Sequence, residues 1–159
     1  MRKIFTALTF ALCIIFSATA FAEGAEEDVI QVAIDATDNG WYMDSTDVII
    51  DKNSGGELIF HTNFAVILSD AGKRELVDFY RARAENVPGL DSVAMLIETV
   101  YFREAGGKIY SSTTDMLFYD KNKEEIKGLG YLDDEIEWQP IDAKTIGEIM
   151  YQTARKYAK

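Results

Sequence analysis

Alternation of apolar and polar positions is the dominant signal along this chain, and it is clearest over residues 57–69. Leu58, Phe60, Phe64, Val66 and Leu68 share one side, with Thr62 among them. Glu57, His61 and Asn63 share the other with Ile59, Ala65 and Ile67. A period of two sustained over that length predicts a long strand. Residues 29–36 read as an earlier strand, closed by the turn signal Asp38-Asn39-Gly40. Residues 41–44 and 48–50 read as a second, broken strand, and Asp51-Lys52-Asn53-Ser54-Gly55-Gly56 as the hairpin turn that follows it.

Residues 92–103 are apolar on both sides, with Val93, Met95 and Ile97 alternating with Ala94, Leu96 and Val100. That suits a central strand covered on both faces, although pattern alone also fits a buried helix. Gly106-Gly107 turns the chain into a β-branched and aromatic strand over 108–119. Asp120-Lys121-Asn122-Lys123 turns it again, and 125–131 reads as a short last strand.

Two stretches change period. Leu76, Val77, Tyr80 and Ala84 fit one helical face, predicting a short helix over 73–85 that Pro88-Gly89 ends. Thr145 followed by Glu148 is a capping box, after which Ile146, Ile149, Met150, Thr153, Ala154 and Tyr157 recur at helical spacing. The expected fold class is α+β, an antiparallel β-sheet with an amphipathic C-terminal helix packed on one face. No repeat or linker divides residues 23–159, so they are expected to form a single domain.

The first 22 residues stand apart. Arg2 and Lys3 precede an apolar run over 4–16, and Ser17-Ala18-Thr19-Ala20-Phe21-Ala22 supplies small residues before Glu23. This is the three-part pattern of a cleavable signal peptide over residues 1–22. The run falls short of the roughly 20 apolar residues a spanning helix needs, so no membrane insertion is expected after cleavage. Cys13 lies mid-run behind Leu12, the wrong setting for lipid attachment. The protein is therefore expected to be exported, to a periplasm or to the cell surface and beyond.

Cleavage would remove Arg2, Lys3 and the single cysteine but no carboxylate, taking the formal net charge from −11 to −13. Such acidity argues against nucleic acid and anionic lipid as partners. It leaves the body of the chain with one histidine, His61, and no cysteine.

Candidate chemistry is correspondingly thin. His61 would have to serve any Ser-His-Asp arrangement, yet no Gly-x-Ser-x-Gly elbow accompanies it, which favours a hydrogen-bonded or surface histidine. Glu98 lies in the apolar strand between Ile97 and Val100. Buried, it would titrate high and could act as an acid; a place at the rim or beside an arginine is the favoured expectation. The segments beginning at Asp51 and Asp120 mimic calcium loops but carry Thr62 and Tyr131 where a bidentate glutamate belongs. Gly128-Leu129-Gly130 is a fragment of a phosphate loop without a helix behind it. Trp41, Tyr42, Tyr101, Tyr110, Phe118, Tyr119 and Trp138 could line a ligand groove, with packing the favoured role for each. No catalytic set, metal site or cofactor is expected, and the chain reads as no enzyme.

Taken in order, Trp41-Tyr42-Met43-Asp44, then Phe118-Tyr119-Asp120-Lys121-Asn122, then Trp138-Gln139-Pro140-Ile141 ahead of the capped helix resemble the surface-adhesin protein E-like family. The resemblance spans about residues 29–158. It implies an antiparallel sheet with the C-terminal helix on one face, a homodimer among the assemblies, and a non-enzymatic role in binding extracellular-matrix or serum proteins of a host. Adhesin-type members can tie helix to sheet through cysteines, whereas residues 95–100 and 149–154 here contain none. The competing expectations are an envelope structural or stress protein that meets no host, and a small-ligand carrier or hydrolase using His61 and Glu98.

Overall fold

A computed structural model describes residues 28–83, 85–133 and 135–159. The expected signal peptide lies outside the described residues. Three long strands carry the molecule: β4 (Glu57–Ile67), β5 (Val93–Ala105) and β6 (Lys108–Asp120). Short strands β1 (Val29–Ile34), β2 (Gly40–Asp44) and β3 (Ile49–Ser54) precede them, and β7 (Tyr131–Leu132) and β8 (Gln139–Pro140) follow. Among the described residues all pair antiparallel in one eight-stranded sheet of order β1-β2-β4-β5-β6-β7, with β3 also on β4 and β8 also on β6.

The register explains the shape. β2 pairs with residues 64–67 of β4 and β3 with residues 57–61, so the two lie in tandem along one edge of the same strand. β7 and β8 likewise share the outer edge of β6. The stretch expected as one broken strand is thus two strands, and the expected six-residue turn is shorter. Residues 51–54 belong to β3, and Gly55 and Gly56 alone make the bend, at φ 66° and 75°. A two-residue hairpin needs left-handed backbone at both positions, which glycine adopts without strain. The expected strand over 125–131 is also corrected. Glu125 makes an isolated bridge to Tyr119, and Ile126 and Leu129 then turn inward to the core before β7.

Directly paired residues share a face, so Phe60↔Phe102, Phe64↔Glu98↔Met116 and Val66↔Leu96↔Phe118 lie on one side. Both helices cover that side. Helix α1 (Asp70–Ala82) sits at one end, where Val77, with Leu76 and Tyr80, packs against Val66, Leu96 and Phe118. Helix α2 (Ile146–Arg155) sits at the other, where Met150, Ala154 and the trailing Ala158 meet Phe60, Phe64 and Phe102. The Phe60 and Phe102 rings lie tilted with centroids 5.3 Å apart, and the Tyr151 ring sits 6.2 and 5.9 Å from them. On the opposite side Ala65, Met95, Ile97 and Tyr119 form a smaller buried cluster that includes no helix residue.

Both helices differ in detail from expectation. α1 begins three residues earlier than expected, because Ser69 caps it by accepting from the Gly72 N–H at 3.0 Å. The buried face of α2 is rotated: Ile149 and Tyr157 are 43% and 36% exposed, while Tyr151 turns inward. The capping box is present with one shift. Thr145 Oγ1 accepts from the Glu148 N–H at 3.3 Å, and the Glu148 carboxylate accepts from the Lys144 N–H at 2.6 Å. Thr145→Ala is expected to cost about 1 kcal/mol in urea denaturation, the usual worth of such a cap. Among the described residues no helix is long and apolar enough to cross a membrane.

Candidate functional site

Period-two alternation on β4 sends His61 and Asn63 to the face away from the helices, and β3, β5 and the link between β2 and β3 bring their partners. His61 Nδ1 lies 2.7 Å from the Asp51 carboxylate, and its ring stacks on Tyr101 with centroids 4.6 Å apart. One register step on, Asn63 donates to Asp47 at 2.8 Å and accepts from Thr99 Oγ1 at 2.7 Å. Burial raises the Asp47 carboxyl, Asn63 opposes that, and Asp44 nearby adds to the rise. Burial, with Asp51 and Asp115 beside it, also raises the Tyr101 hydroxyl. His61 is thus a hydrogen-bonded histidine, as expected. A base of this kind needs a nucleophile within reach, and among the described residues its hydrogen-bond partner is Asp51.

Glu98 contradicts its expectation. It is neither at the rim nor beside an arginine but 6% exposed, on the helix-covered face between Phe64 and Met116. It shares parity along β5 with Leu96, Val100 and Phe102, which is why the sheet carries it inward. No described side chain donates to it or pairs with it, and burial alone pushes its carboxyl up to about 7. Its diagonal neighbour Thr62, opposite Val100, is also buried with an unpartnered Oγ1. The sheet itself separates Glu98 from His61, so the two cannot act as one catalytic pair.

The acidic turns are structural. Asp120 accepts from the backbone of Glu124 at 2.9 Å and of Asn122 at 2.8 Å, and these donors hold its carboxyl below the usual range. Asp51 is spent on His61. Among the described residues no cluster of three or more His, Cys, Asp or Glu side chains is placed to hold a metal. Of the aromatics, Phe118 and Tyr119 are core residues, Trp41 donates from Nε1 to Asp35 at 3.0 Å, and Tyr110 and Trp138 flank the Arg103 guanidinium at 5.9 and 5.7 Å.

Two features escaped sequence reasoning because they depend on which strands adjoin. At the end of the sheet Glu57 is bridged by both Lys52 and Arg103, while Glu104 accepts from Tyr151 Oη at 2.9 Å and Arg155 Nε at 2.5 Å. Burial, and then that bond to Glu104, push the Tyr151 hydroxyl up to about 12. At the other margin β1 ends the strand order. Among the described residues it is paired on one side only, by β2, with a register shift between Gln31 and Ala33.

Neither a protein-family model nor a curated protein sequence matches the chain. Among solved structures it is similar to Haemophilus influenzae protein E, at 14% identity and a TM-score of 0.45, over 85% of this chain and 89% of that one.

Proposed function

We propose that this is an exported, non-enzymatic protein-binding module that takes a partner's extended strand along the outer edge of β1. The β1 edge carries the reading. Its six residues, Val-Ile-Gln-Val-Ala-Ile, include no charge and no proline, and Ile34 at its end is 62% exposed. Open edges are normally guarded by lysine, proline or distortion, and among the described residues only the shift at Gln31/Ala33 guards this one. An unguarded edge is what strand addition uses, with main-chain hydrogen bonds supplying affinity. A second copy of the chain presents such a strand in its own β1, and an extracellular-matrix protein is the partner that the family resemblance implies. The leader pattern supports export, and the separation of Glu98 from His61 supports a role without catalysis.

The double substitution Gln31→Lys/Ile34→Lys adds edge lysines at two exposed positions, where stability should change by about 0.5 kcal/mol or less. Binding to immobilised extracellular-matrix proteins at physiological salt, together with self-association by light scattering, is expected to weaken about tenfold or more. Binding that ignores both lysines would defeat the edge reading. Binding by the unmodified protein that vanishes at physiological salt would reduce it to non-specific attraction by an acidic surface. Protease shaving of intact cells separates a surface position from a periplasmic one.

A further inference from the structure

The geometry points to a second binding site, a groove at the end of the sheet that takes a ligand combining a carboxylate with a short aliphatic body. The groove encloses about 610 Å³ between the β3–β4 hairpin tip, the β5–β6 hairpin tip and the C-terminal end of α2. That volume lies within the usual range for ligand sites, about 300–1,000 Å³. It lies at the opposite end of the long strands from α1, and β1 contributes nothing to its wall, so it stands or falls independently of the edge reading.

Charge decides the sign of the ligand. Over the whole chain acidic residues outnumber basic ones 27 to 16, yet the groove wall sets Lys108, Arg155 and Lys159 against Glu57 and Glu104. Both side-chain carboxylates in the wall are already engaged: Glu57 by two cations, Lys52 and Arg103, and Glu104 by Arg155 and the Tyr151 hydroxyl. Lys52 and Arg103 pull the Glu57 carboxyl below its ordinary value, so it stays ionised and satisfied. Lys108, at the mouth, has no ion-pair partner among the described residues. A cation entering here would have to displace existing partners. A carboxylate would meet a free ammonium and a neutralised wall.

The floor decides the body. Ile50, Leu58, Ile109 and Ala158 line it, and aliphatic surface gains from any apolar group that covers it, by about 25 cal/mol per Å². The tips leave the entrance open. Gly56, Gly106 and Gly107 line the mouth, and the space a Cβ would occupy at each is empty to 4 Å. A ligand can therefore approach the backbone of both hairpins, which larger residues would prevent. Peptides with alternating acidic and aliphatic residues and free medium-chain carboxylates share this chemistry, and the peptide is favoured because it can also hydrogen-bond the hairpin backbones that the glycines leave open.

Titrating the purified protein with an alternating glutamate–leucine hexapeptide, followed by amide ¹H–¹⁵N spectra, tests the site. The amides of Gly56, Gly106 and Gly107 are expected to shift together with a Kd below about 1 mM. Lys108→Glu, at an exposed turn position, should weaken binding about tenfold, whereas Lys121→Glu in the remote β6 turn should leave it unchanged. Octanoate run in parallel separates the sources: tighter binding of the peptide supports a peptide site, and equal binding supports a site for the carboxylate head and apolar body alone. An alternating lysine–leucine hexapeptide that binds as well would overturn the proposal. So would glycine amides that stay still in every titration, or a Lys108→Glu variant that binds like the parent.

Discussion

Glu98→Gln is expected to flatten the dependence of stability on pH between about 4.5 and 7 and to make the protein more stable at pH 8. An ordinary glutamate carboxyl titrates at 4.5, and burial between Phe64 and Met116 raises this one to about 7. In the unfolded chain Glu98 releases its proton near the ordinary value. In the folded protein it keeps that proton until about 7. Across the interval the folded state binds more protons, so stability must fall as pH rises. The fall begins near 4.5 and is complete just above 7, and a shift of this size corresponds to about 3 kcal/mol. A typical domain has only about 5–15 kcal/mol in total.

Glutamine keeps the shape and cannot ionise. It still leaves a buried amide without partners, a cost of about 1–3 kcal/mol that the protonated acid largely shares. The variant should therefore match the parent within about 1 kcal/mol at pH 4.5 and exceed it by about 1–3 kcal/mol at pH 8. Urea denaturation of both proteins at several pH values reads this directly. Other carboxyls do not confuse the comparison, because Asp35 and Asp120 are held low and lose their stabilising contribution only on further acidification. Asp47 is raised like Glu98 but is present in both proteins. Parallel curves for parent and variant would mean that Glu98 is ionised at neutral pH in the fold.

The same residue shows how far the sequence could be read. Along β5 every apolar residue of even number predicts the inward face, and Glu98 has that parity, so its burial was written in the pattern. Chemical expectation overrode the pattern, since an unpaired buried carboxylate is costly. Protonation removes most of that cost. β4 was legible for the same reason: with one face packed, a one-residue slip would turn every side chain the wrong way. The helix cap at Thr145 is a local device and could be read locally. What could not be read depends on distant pairing. Nothing within residues 40–54 says that β2 and β3 lie end to end on β4, because their partners are the two halves of another strand. The rotation of α2 follows from Tyr151 reaching Glu104, a contact 47 positions away. The groove likewise exists only once two hairpin tips and a helix end converge.

Gly72→Ala poses the sharpest conflict between local and tertiary expectation. Gly72 lies in the first turn of α1, and in an isolated helix alanine would be favoured by about 1 kcal/mol. In the folded protein a Cβ at that position would stand 2.0 Å from Asn39 Oδ1 and 2.6 Å from Asn39 Cγ and Nδ2. Asn39 has no freedom to yield. Its Oδ1 accepts from the Ser69 N–H at 3.0 Å, and its Nδ2 donates to Asp35 at 3.0 Å and to Thr37 Oγ1 at 2.9 Å. Ser69 in turn donates to the Thr37 carbonyl while capping the helix, so the β1–β2 turn and the start of α1 form one interlocked unit. Overpacking costs about 1–3 kcal/mol and each broken buried hydrogen bond about 1–3 more, together well beyond the gain in propensity. The variant is expected to lose about 2–4 kcal/mol in urea denaturation. A rise in stability would show that propensity governs and that the clash relaxes freely. Asn39→Ala decides the cause: by itself it should cost about 1–2 kcal/mol, and on that background Gly72→Ala should become neutral or stabilising. The difference between the two backgrounds is the coupling between turn and helix, and it should exceed 1–2 kcal/mol if the steric argument holds.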